Sequence, residues 1–405
     1  MEKKVIVLGV TGGIAAYKSA QLASNLLKKG HEVHVVMTKN ATEFVTPLTF
    51  EVLTNNKVAV DTFDRNFDYN VNHVSLAKKA DLFVVAPATA NVIAKFATGI
   101  ADDMLTTSYL AFNCPTLIAP AMNTVMLEHV ATRRNIEILR GDGVHLVQSG
   151  IGYLACGDIG AGRLADLSDI EAAIDCLLTT KKILAGRKVV ITAGPTQEAL
   201  DPVRFISNHS SGKMGYALAR VARNLGAEVV LITGPTQLAL PTALGLPTAL
   251  GLPTAVDVIQ VTTATEMYEA AMKHLDYDCF IASAAVSDYR PTEISTRKLK
   301  KQDLGDDLQL ALTQNEDIVA AVAKEKKSHQ KVIAFAMETE NLVEQARLKL
   351  EKKRVDLVVA NDLNEQGAGF KGDTNKVTLV SHDGETQLPL MSKDEVAMAI
   401  FERMF

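Results

Sequence analysis

The sequence predicts an α/β chain of two tandem Rossmann-like domains, with mainly parallel sheets and flanking helices. Three observations predict it. A short strand rich in β-branched residues opens each half, at 5–10 and at 188–192. A glycine-bearing turn and an amphipathic helix follow each one. A second strand then closes the unit, within GHEVHVVMT in the first half and GAEVVLITG in the second. Strand–helix–strand over so short a stretch is a βαβ unit, which is right-handed and parallel.

In the first half, the continuous apolar run Val5–Val10 suits a strand buried on both faces. Read as a secretory leader it is too short, and glycines follow at once. Gly12 and Gly13 break it, and the next helix carries Ala16, Ala20, Ala23 and Leu27 on one face. Gly30 ends that helix, and Glu32–Met37 is the next strand. Asp81–Ala86 and Thr116–Ala119 read as further buried strands. Ser168 to Glu171 carries a capping-box signature for a helix to about Leu178. The polar, basic stretch from Thr179 to Arg187 reads as a linker, dividing a domain at 1–180 from one at 181–405. A length of 405 residues suits two or three domains.

The second half begins with Lys188–Thr192 and a turn at Ala193–Thr196. A helix over 212–225 follows, with Met214, Leu218, Val221 and Leu225 along one side, and then the strand Glu228–Thr233. At 240–255 LPTALG occurs twice, followed by LPTA. Fewer than three copies cannot stack as a solenoid, so this is an expanded surface loop, whose closure costs little. A capping box at Thr263–Glu266 starts another helix. The strands Cys279–Ala284, Val332–Ala336 and Val355–Ala360 follow. A hairpin turning at Asp383-Gly384 joins Val377–Val380 to Thr386–Leu390, and a helix capped at Ser392 closes the chain.

Composition narrows the function. Hydrophobic residues make up 47% and charged residues 22%, an ordinary globular balance. A net charge of -5 argues against a nucleic-acid partner. Lys and Arg cluster only locally, at Arg297–Lys301 and Lys349–Arg354. The four cysteines are widely spaced and form no CxxC pair, which disfavours zinc and suits a reducing cytoplasm. No apolar run approaches the ~20 residues needed to cross a bilayer, so no membrane partner is expected.

The chemistry points to the carboxyl ends of the strands, where doubly wound sheets bind ligands. The loop GVTGGIAAYK lets backbone approach a phosphate at a helix start. It lacks the GxGxxG spacing, and the next strand ends in Thr38-Lys39 rather than an acid. A nicotinamide dinucleotide is therefore disfavoured, and flavin mononucleotide stays open. His73 precedes one strand, and PATAN follows it. Asn123 follows the next strand, in PAMNTVM. Cys156 lies in GIGYLACGDIGAG, whose glycine density suggests a mobile flap. Singly, each has a structural reading: a satisfied histidine, a cap asparagine, an inert thiol. Together they fall on one expected ligand edge.

GGIAAYK, NHVSLAKKAD, APATAN, GIADDML, PAMNTVM and ACGDIGAGR, in this order, resemble the flavin-dependent cysteine decarboxylases. ITAGPTQEALDPVRFISNHSSGKMG, AAVSDYRP, KLKK, NEDI, FAMET and AND resemble phosphopantothenate–cysteine ligase. The fusion resembles the bifunctional bacterial coenzyme A biosynthesis proteins over nearly the whole chain. The repeat loop at 240–255 is the one departure.

This resemblance implies FMN in the first domain. The flavin oxidises the thiol of a phosphopantothenoyl-cysteine, and the thioaldehyde formed makes loss of the carboxylate feasible. His73 matches the family's active-site histidine, and Asn123 the residue holding the substrate carboxylate. Cys156 matches the acid that protonates the enethiolate. Gly12, Gly13, Thr38, Pro87, Ala88, Thr89 and Asn91 match flavin-contacting positions. In the second domain the resemblance implies that CTP activates 4'-phosphopantothenate as an acyl-cytidylate, which L-cysteine then attacks. Asn208 matches the residue acting around that intermediate. Ala284, Ala285, Val286, Asp288, Lys298, Glu316, Asp317, Ile318, Val319, Phe335, Lys349 and Lys353 match nucleotide-binding positions. Asp288 is the candidate ligand for Mg2+. SNHSSGKMG is not a Walker A loop, because Met214 stands where Ser or Thr would bind magnesium. Related domains form trimers and dimers respectively, which implies a homo-oligomer. A flavin-binding regulatory protein without turnover is the alternative, and retention of His73, Asn123 and Cys156 argues against it.

Overall fold

The computed structural model describes residues 3–63, 72–155, 157–240, 256–299, 309–338, 341–362 and 372–405. Cys156 and the repeat at 241–255 lie outside them, as do Lys300 and Lys301. The described residues form two compact units, one within 3–180 and the other within 181–405.

In the first unit, β1 (Val5–Val10) leads through α1 (Ala16–Lys28) to β2 (Glu32–Met37). Then come α2 (Pro47–Thr54), α3 (Asn72–Lys79), β3 (Leu82–Ala88) and α4 (Ala90–Thr98). They are followed by α5 (Met104–Ala111), β4 (Thr116–Pro120), α6 (Thr124–Glu128) and α7 (Val130–Gly141). The unit closes with β5 (His145–Leu146), the antiparallel hairpin β6 (Gly150–Tyr153) and β7 (Ile159–Arg163), and α8 (Leu167–Leu178). The main sheet is parallel, in the order β2-β1-β3-β4-β5. The order reverses beside β1, so the gap between β1 and β3 is the switch point.

Both faces of this sheet are covered. Ile6, Leu8 and Val10 pack with Leu22 and Leu26 of α1 and Ile170 and Ile174 of α8. Their neighbours Val7, Phe83 and Val85 pack on the other side with Ile93 of α4, Leu105 of α5 and Leu139 of α7. Alternation along a strand buried on both faces explains why β1 reads as a continuous apolar run.

The second unit comprises β8 (Lys188–Ala193), the hairpin β9 (Gln197–Ala199) and β10 (Phe205–Ser207), α9 (Lys213–Asn224) and β11 (Glu228–Thr233). Next come β12 (Val256–Gln260), α10 (Ala264–Met272), β13 (Cys279–Ala282), and the antiparallel pair β14 (Tyr289–Pro291) and β15 (Leu312–Gln314). They lead to α11 (Ile318–Lys324), β16 (Lys331–Glu338), α12 (Leu342–Lys353) and β17 (Leu357–Asp362). The chain ends through β18 (Thr374–Asn375), β19 (Val377–Ser381), β20 (Gly384–Gln387), β21 (Met391–Ser392) and α13 (Lys393–Met404). Its sheet runs β12-β11-β8-β13-β16-β17-β19-β20, parallel from β12 to β17 and antiparallel beyond. Val189 and Ile191 pack under α9 and α13, while Val190 faces the layer of α10, α11 and α12. Both units are therefore doubly wound α/β folds, as the sequence predicts.

Several local readings change. In α1 the buried face is Ala16, Ser19, Leu22, Ala23 and Leu26. The two leucines turn inward, and Ala20 and Leu27 are only half-buried. Ser19 is tolerated there because its hydroxyl donates to the Ala86 carbonyl at 2.6 Å. The α8 capping box does not form: the helix begins at Leu167, and its N-cap is Asp166. Boxes at Thr263 and Ser392 do form. The linker is not wholly polar, since Leu184 is fully buried in the second core. Val355 belongs to the turn after α12, where Arg354 takes a left-handed conformation and Val355 N–H bonds back to Leu350. The last hairpin turns at 382–383, because Ser381 pairs directly with Gly384.

Leu8 is completely buried between α1 and α8. Leu8→Ala should lower the unfolding free energy by about 2–5 kcal/mol, read by denaturant titration of the full chain.

Candidate active site

In the first unit the loops after β1, β2, β3 and β4 meet around a cleft of about 520 Å³. Its walls include Thr11, Gly12, Gly13, Thr38, Thr89 and Asn91, and also Lys39, Asn40, Lys95, Asp103, Met122 and Met126. It lies beside the switch point, at the carboxyl edge of the sheet.

Thr11 builds the centre of this edge. It is 1% exposed. Its hydroxyl donates to the Pro87 carbonyl at 2.7 Å and accepts from Thr89 N–H at 3.1 Å. That ties the end of β1 to the turn after β3. Pro87 and Ala88 serve there as frame, and Thr89 is the N-cap of α4, accepting from Val92 N–H. The first residues of α4, Ala90 and Asn91, line the cleft, and Gly13 just precedes α1. Helix starts of this kind offer N–H donors and a positive dipole to an anion.

Gly12 has a second cause that spacing did not reveal. A Cβ there would meet Asn40 Cβ at 2.5 Å and the Asn40 carbonyl carbon at 2.9 Å. The glycine lets the loops after β1 and β2 touch. Thr38 caps the short 3-10 turn between them, accepting from Ala41 N–H at 3.3 Å.

The glycines of the proposed flap also have a packing cause. β7 lies directly on the segment 122–124. Met122 N–H donates to the Gly162 carbonyl at 2.9 Å, and Thr124 Oγ1 to the Ala161 carbonyl at 2.7 Å. A Cβ on Gly160 would meet Thr124 Oγ1 at 2.4 Å, and Gly162 has φ +121. The hairpin base is thus fixed to the loop carrying Asn123. Asn123 itself caps α6, accepting from Val125 N–H at 2.8 Å.

His73 is half-buried on α3 and is not among the residues lining the cleft. Cys156 lies outside the described residues. Of the remaining thiols, Cys114 is pushed up to about 11 by burial, and Cys279, fully buried, is pushed higher still. Neither is a reactive thiol at neutral pH.

The sequence reading missed Thr11, Lys95 and Asp103. Lys95 Nζ bonds Asp102 at 2.6 Å and Asp103 at 3.3 Å. Burial opposes its charge, but these two carboxylates outweigh burial and hold the ammonium protonated. A lysine seven and eight residues before a pair of aspartates was the available signal.

In the second unit the loops after β8 and β13 meet at the switch point. Ala285 N–H donates to the Gly194 carbonyl at 2.9 Å, and Thr196 N–H to the Ala285 carbonyl at 3.3 Å. Asn208 Nδ2 donates to the same Ala285 carbonyl at 2.9 Å. Ser287 N–H bonds Thr196 Oγ1, and Asn315 N–H bonds the Asp288 carbonyl. The structure thereby brings Asn208 together with the loop holding Ala284, Ala285, Val286 and Asp288, and Glu316 is adjacent to Asn315 in the chain. The N-cap of α9 is Gly212, at φ 79. Gly215 lets that helix press on β8, since a Cβ there would meet Ala193 Cβ at 2.4 Å.

A further group forms around α11 and α12. Asp317 is the N-cap of α11, whose first residues are Ile318 and Val319. Lys353 pairs with the Asp317 carboxylate, and Lys349 Nζ donates to the Phe335 carbonyl at 2.7 Å. Two of the three lysines read from sequence as nucleotide cations, Lys349 and Lys353, are thus also held by neighbours. Asp288 and Lys298 are exposed. Among the described residues, no group of three or more His, Cys, Asp or Glu could hold a metal ion. Nor is any helix among them long and apolar enough to cross a membrane.

Two doubly wound units, each with its motif loops converging at the switch point, define a protein of the α/β class with a candidate site at the carboxyl edge of each sheet. Residues 1–179 match the Flavoprotein family. Residues 184–405 match the DNA/pantothenate metabolism flavoprotein C-terminal domain. The Coenzyme A biosynthesis bifunctional protein CoaBC of Vibrio vulnificus (strain YJ016) is 44% identical over 99% of this chain and 97% of its own length. The protein of the same name from Bacillus subtilis (strain 168) is 45% identical over 100% and 97%. Among solved structures, the C-terminal domain of CoaBC is 39% identical, covers 55% of this chain and 96% of that chain, and has a TM-score of 0.44. The chain belongs to the family of bifunctional coenzyme A biosynthesis proteins. That membership favours an enzyme over a flavin-binding regulator.

Thr11→Val would leave the half-buried Thr89 N–H and one bond of the Pro87 carbonyl unmade. It should cost about 1–3 kcal/mol in the first unit, seen as an earlier thermal transition, and lower the bound flavin, seen as a smaller visible absorbance per chain.

Proposed function

We propose that this chain makes 4'-phosphopantetheine in two consecutive steps on two domains. The domain at 181–405 joins L-cysteine to 4'-phosphopantothenate at the expense of CTP. The domain at 1–180 decarboxylates the product with FMN. One observation carries this reading: the motif-bearing loops of each half converge at the switch point of its own sheet.

The first cleft suits FMN. Its volume of about 520 Å³ holds a mononucleotide, and helix starts and glycines border it. Gly12, Gly13, Thr38, Thr89 and Asn91 would hold the cofactor, with Pro87 and Ala88 behind them. When bound, FMN would supply a reversible two-electron oxidation of the substrate thiol, which is the electron sink that carboxylate loss requires. Asn123 orients the leaving carboxylate, and the hairpin β6–β7 shields it from water. Cys156 would donate a proton to the enethiolate, and the two electrons taken from the thiol would return to the product with it, which restores the saturated thiol of 4'-phosphopantetheine. His73, which lies on α3 and does not line the cleft, would complete the site from a second copy of the chain. Exposed apolar residues on α1 and α2, such as Tyr17, Leu48 and Val52, offer a surface for such a trimer.

In the ligase half the phosphopantothenate carboxylate attacks the α-phosphate of CTP and displaces pyrophosphate. The cysteine amine then attacks the acyl carbon, forming the amide and releasing CMP. Asn208, bonded to the Ala285 carbonyl, would act around the acyl-cytidylate. Lys298, Lys349 and Lys353 neutralise the phosphates as point charges. Asp288 would supply one carboxylate to Mg2+ arriving with the nucleotide, and the ion would help neutralise the phosphates. Exposed Val203, Phe205 and Tyr289 suit a dimer contact in this half. The reducing surroundings that free cysteines need agree with a cytoplasmic enzyme.

The purified chain should be yellow, release CO2 from phosphopantothenoyl-cysteine, and consume CTP in preference to ATP when given phosphopantothenate and cysteine. Colourless protein without a CTP-dependent product would sink the reading. Cys156→Ser should accumulate the oxidised, decarboxylated intermediate in mass spectra, whereas normal turnover would remove Cys156 from the acid role. Asn208→Asp should form little amide, and full ligase rates would exclude it from the site.

A further inference from the structure

Asp201 sits in the tight turn between β9 and β10, and its side chain is completely buried. Its carboxylate accepts five hydrogen bonds, two at Oδ1 and three at Oδ2. The two at Oδ1 come from Val203 and Arg204 N–H, both at 2.8 Å, and they close the turn. Turn formation needs nothing more. Yet Oδ2 takes the Arg204 fork, Nε at 2.9 Å and Nη2 at 2.6 Å, and also Leu299 N–H at 3.1 Å. Arg204 Nη2 in turn donates to the Leu299 carbonyl at 2.7 Å. The second oxygen therefore binds a segment almost a hundred residues away in the chain.

That segment carries Lys298. Its other end is held too, because Ser295 N–H donates to the Leu200 carbonyl at 3.0 Å, and Ser295 Oγ donates to the Arg297 carbonyl at 2.6 Å. Lys298 is thus suspended between two anchors on one hairpin turn. The arm β10 of the same hairpin runs straight into Asn208, which bonds the Ala285 carbonyl. Burial opposes the charge on Asp201, but the Arg204 guanidinium and the backbone N–H groups outweigh it, and its carboxyl stays well below the usual range. The anchor is therefore ionised at neutral pH.

We propose that Asp201 is a positioning residue of the ligase: it sets the backbone of Lys298 against the hairpin arm that carries Asn208. The proposal rests on the nucleotide role given above to Lys298. Asp201→Asn separates the two functions of the side chain. An amide oxygen at Oδ1 keeps the turn, while an amide N–H2 at the other position faces three donors and cannot bind them.

The test is a double-mutant cycle on the full-length chain with Asp201→Asn, Lys298→Ala and both together. The readout is pyrophosphate release from CTP and phosphopantothenate without cysteine, with CO2 release by the other domain as a check on the sample. Each single variant should lower the single-turnover rate constant for pyrophosphate release at least tenfold, and the double variant should be no worse than Lys298→Ala. If Asp201→Asn does not fold, Arg204→Lys enters the same cycle; it keeps a cation on a half-exposed side chain but loses the fork, and the same non-additive result is expected. Losses that multiply would show that Asp201 only supports the turn, which overturns the proposal. A slow Lys298→Ala beside a normal Asp201→Asn overturns it as well and leaves the ligase reading intact. A normal Lys298→Ala overturns both the role of Lys298 and the proposal built on it.

Discussion

Burial of both faces of each parallel sheet is the constraint from which the sites follow. β1 and β8 carry side chains alternately into two helix layers, and nearly all of those side chains are inaccessible to water. Polar chemistry cannot enter through either face without unpaired groups in the core. It is left to the carboxyl edges, where strands stop and loops begin. At the switch points neighbouring crossovers run to opposite faces, so the loops part and leave room. The cleft beside β1 and the knit of Gly194, Thr196, Asn208 and Ala285 beside β8 are two outcomes of that one rule.

At those edges the limiting quantity is space between backbones. Gly12 admits Asn40, Gly160 and Gly162 admit the segment 122–124, and Gly215 admits Ala193. Each is a contact that a single methyl group would block. Glycine here serves loop-on-loop packing first, and any phosphate approach is made on that frame. Buried hydroxyls then join the loops: Thr11 bonds both Pro87 and Thr89, and Thr196 bonds Ser287. Such bonds are worth little each, but leaving them unmade in a buried place is expensive. The site loops are therefore rigid where they touch the sheet.

The two halves distribute charge differently. In the first cleft Lys95 is balanced by Asp102 and Asp103, so Lys39, helix starts and backbone N–H groups are left to meet an anion. In the second half Lys353 is paired with Asp317, and Lys349 is turned to the Phe335 carbonyl. Those partners pre-set the lysines at modest electrostatic cost, because the pairs are partly solvated. Asp201 is the exception, a wholly buried carboxylate that accepts five hydrogen bonds.

The sequence alone determined the class of fold, the strand order within each βαβ unit, and the identity of the loops that carry chemistry. It did so because strands buried on both faces write continuous apolar runs, and because glycine and polar motifs after those runs mark the ligand edge. Boundaries such as Val355 and the α8 cap escaped it, since a left-handed Arg354 and a competing Asp166 are settled by local geometry. Only the tertiary structure decided which long-range partners each residue meets. Thr11 with Pro87, Gly162 with Met122, and Asp201 with Leu299 are joined by packing across dozens of residues, and no periodicity records such a distance.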